Sequence, residues 1–350
     1  MTNRDPRSPT TAAVIGVGAS SAIGHGVRPI QAAMAAGLRN FQEGDIIAPN
    51  GEPARSSRLP DLDQLAPRGE RLALLTRLAA IDLMTFASLP RLHRIHVHVG
   101  LASDAPRSDL DTIARALEDG SDGSIELKAA NVFGYRNGRI AFLSALAGAM
   151  RVFETGAADH ALVVAVDSRC TEDAIDALMR ERRLLTDEDD GAIPGEGAVI
   201  ALVARPGTDL AAQHTQFVVG DPAFGRDEFE TIRQSPQATQ GLGRAFRTLR
   251  EQSGADPIRP AVVIAFETGE LFFTRAFATG YLRNVELMPE PLRHELIATN
   301  VGDTGAAAAG FALIRADWMM RHLEGSTAPR ILVYGHADDG SCAATMVARS

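Results

Sequence analysis

Several groups of residues have types and spacings that can do chemistry. In the run HRIHVH at 93–98, His96 and His98 fall on one face of a strand, because side chains alternate. Two imidazoles can ligate a transition metal. No carboxylate or cysteine joins them at ligand spacing, so a solvated strand face is expected. The acids DEDD at 187–190 can hold a hard cation, but they lack the alternating pattern of a calcium loop and read as a solvated acidic turn. The segment VIGVGASSAIG at 14–24 resembles a phosphate-cradling turn. The dinucleotide fingerprint requires glycine where Ser21 stands, so a tight strand-to-helix connection is expected and no nicotinamide cofactor. Cys170 and Cys342 are far apart and have no CxxC partner. That usage argues against a disulfide framework or zinc site and suits a reducing cytoplasm. No Gly-x-Ser-x-Gly elbow is present, and no cysteine sits at a strand-to-helix turn with histidine support. The residues alone predict neither cofactor nor metal.

The elements that must position these groups alternate between strands and helices. Apolar runs at 12–16, 95–101, 161–166 and 198–203 read as strands. Helical spacing covers 27–36, which ends at Gly37, then 71–86, 110–117, 140–153 and 171–183. Residues 40–68, rich in Pro, Asp and Arg, read as an irregular excursion. A second series begins near Phe217, with helices at 241–252 and 306–314 and strands at 261–266, 330–334 and 345–347. The alternation predicts a mainly parallel sheet with helices on both faces, built twice, with a break near residue 207.

The chain has 350 residues, which suggests two fused halves rather than one core. Hydrophobic residues make up 45% and charged residues 23%, the balance of a globular protein. A net charge of −9 argues against a general binder of nucleic acid or anionic membranes. The opening MTNRDPRSPT has no apolar stretch of a signal peptide, and no window approaches the ~18 apolar residues of a membrane helix.

Taken in order, several segments resemble the β-ketoacyl synthases of the thiolase superfamily. The 14–24 segment resembles their opening strand and turn. AGAMRVFETGAAD at 147–159 resembles the helix after the nucleophile, and ALVVAVDS at 161–168 the strand that follows. LTDEDDGAIPGEGA at 185–198 resembles their Asp-Gly-Phe…Gly-Glu-Gly-Ala stretch. TNVGDTGAAAAG at 299–310 resembles Lys-Ser-x-x-Gly-His…Gly-Ala-Ala-Gly, and GHADDGSCA at 335–343 lies where the gating loop would be. The resemblance implies an α/β thiolase-like fold with duplicated α/β halves layered α-β-α-β-α. It implies an N-terminal half at 11–207, a C-terminal half at 208–350, and dimerisation through the first half.

The resemblance also implies a degenerate site. The nucleophilic cysteine position falls on Arg139, the first histidine becomes Phe266, the preceding lysine becomes Ala298 and the second histidine becomes Asp303. The phenylalanine of the gating loop becomes Asp338. Condensation needs a thiolate to carry the acyl group and imidazoles to assist decarboxylation. A guanidinium stays protonated and cannot be acylated.

Three functions are consistent with this. The first is a non-catalytic protein that binds a protein partner as adaptor, chaperone or scaffold, similar to accessory proteins of bacterial secretion systems, with a secretion effector as the possible partner. The second is a partner of an active ketosynthase and its carrier protein, similar to a chain length factor. The third is an acyltransferase-type enzyme with a rearranged site drawn from Arg139, Glu267, Asp303, His336, Asp338 and Asp339. Arg139 would sit at a helix N-terminus, where the helix field is unfavourable to a cation. A salt bridge from Arg139 to Asp303 or Glu267 is therefore expected to plug the old site, the alternative being Arg139 in solvent and Phe266 in the space.

Overall fold

The apolar runs become strands of one continuous 12-stranded sheet, made of two five-stranded sets that share one topology and two short flanking strands, Gly24–His25 and Ala223–Arg226. The structure, a computed structural model, describes residues 11–60, 62–63, 65–86, 92–93, 95–253, 259–323 and 329–349. The opening ten residues and His93's neighbour at position 94 lie outside them, as does the expectation that the N-terminus carries no signal peptide.

In the first half the strands are β1 (Thr11–Ser21), β2 (His96–Leu101), β3 (Val132–Arg136), β4 (His160–Ser168) and β5 (Glu196–Ala204). They lie in the order β3-β2-β4-β5-β1. In the second half β6 (Phe217–Gly220), β7 (Val262–Ala265), β8 (His294–Leu296), β9 (Arg330–His336) and β10 (Ser341–Ala348) lie in the order β8-β7-β9-β10-β6. Position for position the two orders are the same. Antiparallel pairing of β1 with β6, from Thr11↔Gly220 to Val14↔Phe217, joins the sheets.

The sheets are mixed, which corrects the expectation of a mainly parallel one. β2, β3 and β4 run parallel, as do β7, β8 and β9. β5 is antiparallel to both β4 and β1, and β10 to both β9 and β6. Alternation of strands and helices along the chain does not reveal these returns, because β4 and β5 are themselves joined through a helix.

The longer helices are α1 (Val27–Ala35), α2 (Arg68–Phe86), α3 (Arg107–Gly120), α4 (Ala141–Glu154), α5 (Glu172–Arg180), α6 (Gly241–Gln252), α7 (Leu271–Leu282) and α8 (Ala308–His322). Helices α4 and α8 lie between the sheets, and their side chains form one core with the inner faces of both. This explains why they are apolar on nearly every side. A second core packs α2 and α3 on the outer face of the first sheet, and a third packs α6 and α7 on the outer face of the second. The result is the five-layer α-β-α-β-α arrangement. Close approach needs small residues: a Cβ on Gly18 of β1 would lie 2.1 Å from the Ala79 carbonyl of α2. That packing role accounts for the glycine-rich 14–24 segment, which stays in strand to Ser21.

Residues 40–68 contain a hairpin, Gln42–Ile47 with Pro53–Ser56, where an irregular excursion was expected. Helix α7 and strands β3, β6 and β8 carried no periodic signal that the sequence reading used. Among the described residues no helix is long and apolar enough to cross a membrane.

Candidate functional site

Arg139 lies in the short 3-10 turn Gly138–Ile140 between β3 and α4. Gly138 takes φ 56°, a left-handed conformation suited to glycine, and turns the chain from the sheet edge into the inner helix. The Arg139 side chain is thereby buried at the start of α4, 1% exposed. Its cation faces the positive end of the helix field and has lost most of its hydration.

Two carboxylates offset those costs. Arg139 Nε donates to Asp303 Oδ1 at 3.1 Å, so the predicted Arg139–Asp303 salt bridge is present. Its Nη1 and Nη2 donate to Asp338 Oδ1 at 2.8 and 2.7 Å. Its Nη1 also reaches the His336 carbonyl at 3.4 Å. Asp303 is fixed by its backbone: its N–H donates to the Ile193 carbonyl at 2.7 Å, and its carbonyl accepts from Gly195 at 3.0 Å. Asp338 rides on the turn between β9 and β10, closed by the Ala337 N–H to the Ser341 carbonyl at 2.8 Å.

Two arginines that the sequence reading passed over complete the cluster. Arg183 donates to Asp338 Oδ1 at 2.8 Å and grips Glu270 with bonds of 2.7 and 2.8 Å. Arg169, directly after β4, donates to Asp338 Oδ2 at 3.1 Å. Its Nε also lies 3.1 Å from Asp303 Oδ2, although the angle completes no hydrogen bond there, so that contact is coulombic only. Three guanidiniums thus face Asp303, Asp338 and Glu270, and the formal charges balance. Burial pushes the Asp338 carboxyl up, but Arg139, Arg169 and Arg183 together hold it well below the usual carboxylate range. Burial works against the Arg169 charge, and Asp303 and Asp338 more than restore it.

Glu267 does not pair with Arg139. It pairs with His336 Nδ1, and both are buried. The His336 ring stacks on Phe273 with centroids 5.4 Å apart, and Arg139 lies over the same Phe273 ring at 5.4 Å. His336 Nε2 is buried without a hydrogen-bond partner. Phe266 joins the inner apolar core, its ring against Gly335. Ala298 opens the short helix Ala298–Val301 that leads to Asp303. Asp339 lies at the surface near Arg226, at 3.5 Å. The structure therefore brings Arg139, Asp303, Asp338 and the His336 backbone together, and keeps Glu267, Phe266, Ala298 and Asp339 out of that contact.

The thiols offer no reactive alternative. Burial, reinforced by Glu196, pushes the Cys170 pKa well up, and burial, reinforced by Asp227 and Glu267, does the same to Cys342. A buried thiol held protonated is a poor nucleophile.

The other sequence candidates resolve structurally. Asp190 accepts from the Leu271 N–H at 2.7 Å and so caps the start of α7, while Asp189 pairs with Arg182 at 2.7 Å. The solvated strand face expected at the histidines is corrected for His98, which is 2% exposed. Phe133 and Tyr135 of the neighbouring strand β3 cover it, with Tyr135 Oη 2.9 Å from His98 Nδ1. Among the described residues no group of three or more His, Cys, Asp or Glu could hold a metal ion.

Solved structures match this architecture along nearly its whole length. The ishigamide ketosynthase/chain length factor superposes with a TM-score of 0.70 at 20% identity, covering 97% of this chain and 99% of that one. The fold is the thiolase-like fold. A type II polyketide ketosynthase, solved in complex with its acyl-carrier protein and bound to the hexaketide, gives a TM-score of 0.74 at 14% identity over 98% of this chain and 99% of that one. The Streptomyces albus JA3453 oxazolomycin ketosynthase domain gives 0.74 at 15% identity over 97% of this chain and 76% of that one. No protein-family profile matches the chain, and no curated protein does. Within the thiolase-like fold, what sequence reasoning missed was Arg169, Arg183 and Glu270. Only the position of Arg169, directly after a buried strand, hinted that it turns inward.

Proposed function

We propose that this chain is a ketosynthase-fold protein that does not condense and that acts by binding a protein partner. The observation that carries the reading is the Arg139 guanidinium at the start of α4, clamped between Asp303 and Asp338. By the resemblance stated above, that is the place of the nucleophilic cysteine, and Phe266, Ala298 and Asp303 take the places of the histidines and lysine. A group that cannot carry an acyl chain fills the position, and both cysteines are buried elsewhere. We read the chain as two units, 11–207 and 208–350, and as a cytoplasmic homodimer formed through the first.

A second reading has its own support. The likeness to the ishigamide ketosynthase/chain length factor spans 97% of this chain and 99% of that one, so a chain-length-factor-like role beside an active ketosynthase fits the full length of the protein. The two readings share the absence of condensation and differ in the partner.

Incubation with acyl-CoA and with acylated carrier protein, followed by intact-mass spectrometry, tests the shared claim. The expected mass is unchanged. A stable thioester on Cys170 or Cys342 would overturn it. Stoichiometric co-purification with a catalytic ketosynthase from the native host would decide for the second reading.

A further inference from the structure

We propose that the open cleft beside the arginine cluster docks a basic, aliphatic segment of a partner protein, an assignment that rests on the partner-binding reading above. The cleft has a volume of about 950 Å³, and Arg169 and Asp338 form part of its lining. Seven carboxylates line it against two guanidiniums, those of Arg68 and Arg169. Both guanidiniums are already engaged, Arg68 by Asp109 and Asp167 and Arg169 by Asp303 and Asp338. The carboxylates of Asp45, Asp104, Glu172 and Asp173 are exposed and form no salt bridge among the described residues. Leu65, 78% exposed, and Ile47, 55% exposed, line the same cleft.

Other occupants fit less well. Small anions meet a like-charged rim, and like charge at an interface costs several kcal/mol. A metal ion finds no cluster of three ligands among the described residues. Helix chemistry explains part of the acidity, since Glu172 and Asp173 occupy the first turn of α5, where the helix field favours anions. It does not explain Asp45 in the hairpin strand or Asp104 in the loop after β2. Carboxylates from three separate elements line one cleft together with the exposed Leu65 and Ile47. A segment carrying Lys or Arg beside Leu or Ile satisfies both features: its cations pair with the rim and its aliphatic groups cover Leu65 and Ile47.

The test pans a random peptide library, displayed on phage, against the immobilised full chain. Enriched peptides are expected to combine Lys or Arg with Leu or Ile. Their affinity should fall about tenfold for Asp104→Lys with Glu172→Lys, and weaken as salt rises, because rim charges govern such binding. Asp104→Asn with Glu172→Gln supplies the milder comparison should the reversal disturb folding. No enrichment, enrichment of acidic or uncharged peptides, or binding indifferent to both variants overturns the proposal. Acylation of the chain with peptide enrichment intact would sink the non-condensing reading and leave the cleft assignment standing. An unacylated chain without enrichment would do the opposite.

Discussion

Arg139 Nε and Asp303 Oδ1 meet at 3.1 Å across 164 residues of chain. Asp303 Oδ1 also accepts from the Gly305 N–H at 3.1 Å, so one oxygen ties the inner helix of the first half to a turn of the second. Both side chains are essentially inaccessible. Asp303→Ala leaves a buried cation short of a partner and a backbone N–H unsatisfied. Destabilisation of about 3–5 kcal/mol is expected, the scale for removing one member of a buried pair. Arg139→Met combined with Asp303→Leu should recover at least half of that loss, because Arg183 and Arg169 still hold Asp338. Chemical denaturation of the three variants checks this. Unchanged stability in Asp303→Ala refutes it.

Phe266 owes its place to Gly335. A Cβ on Gly335 would lie 2.4 Å from the Phe266 ring, a distance real side chains do not tolerate. Gly335→Ala should cost about 1–3 kcal/mol through overpacking. Adding Phe266→Leu should return part of it, and the double-mutant cycle reads the coupling directly. Additive effects of the two changes would mean the ring has room to move.

The legible part of this protein was what hydrophobic period and ordered motifs encode. Strands such as 161–166 and the inner helix at 140–153 announce themselves because burial on most sides leaves the strand without a polar residue and the helix with only Ser144 and the exposed Arg151. Arg139 with Asp303 was reachable because the resemblance placed both at one point and helix electrostatics demanded a counter-charge. Arg183 was not reachable: it sits in the run RERR at 180–183, where neighbouring exposed charges hide one arginine that turns inward. His98 was misread for a related reason. Alternation predicts which face a residue shares, but not that β3 will lay Phe133 and Tyr135 over that face.

Strand β3 is the edge of the first sheet, paired with β2 on one side only among the described residues. Phe133 on it is 39% exposed and stacks on His98 at 5.2 Å. If this edge forms the proposed dimer, Phe133→Lys should convert dimer to monomer, since charge on an edge strand opposes pairing. Sedimentation velocity of both proteins at micromolar concentration checks it. A wild-type monomer sinks the dimer, and a dimeric Phe133→Lys variant moves the interface elsewhere.

Acid should expose the buried histidine. Burial, aided by His96 and by the Arg151 cation, lowers the His98 pKa from 6.5 to about 4. The native state therefore takes up this proton less readily than the unfolded chain. The stability linked to the neutral ring is complete above pH 6.5 and is lost as pH falls from there toward 4, about 3 kcal/mol at about 1.4 kcal/mol per pKa unit. His160 and His294, also pushed down by burial, act in the same direction. Asp338 acts in a different window: its carboxyl lies below the ordinary range, so its contribution holds above about pH 4 and fades only beneath that. Denaturation midpoints at pH 7, 5.5 and 4 should therefore fall for the wild-type protein. They should fall distinctly less for His98→Asn, which has no ring to protonate, while Asp338→Asn should keep the wild-type slope over the same interval. Equal slopes for wild type and His98→Asn would show that the ring is already protonated, or solvated, in the native protein.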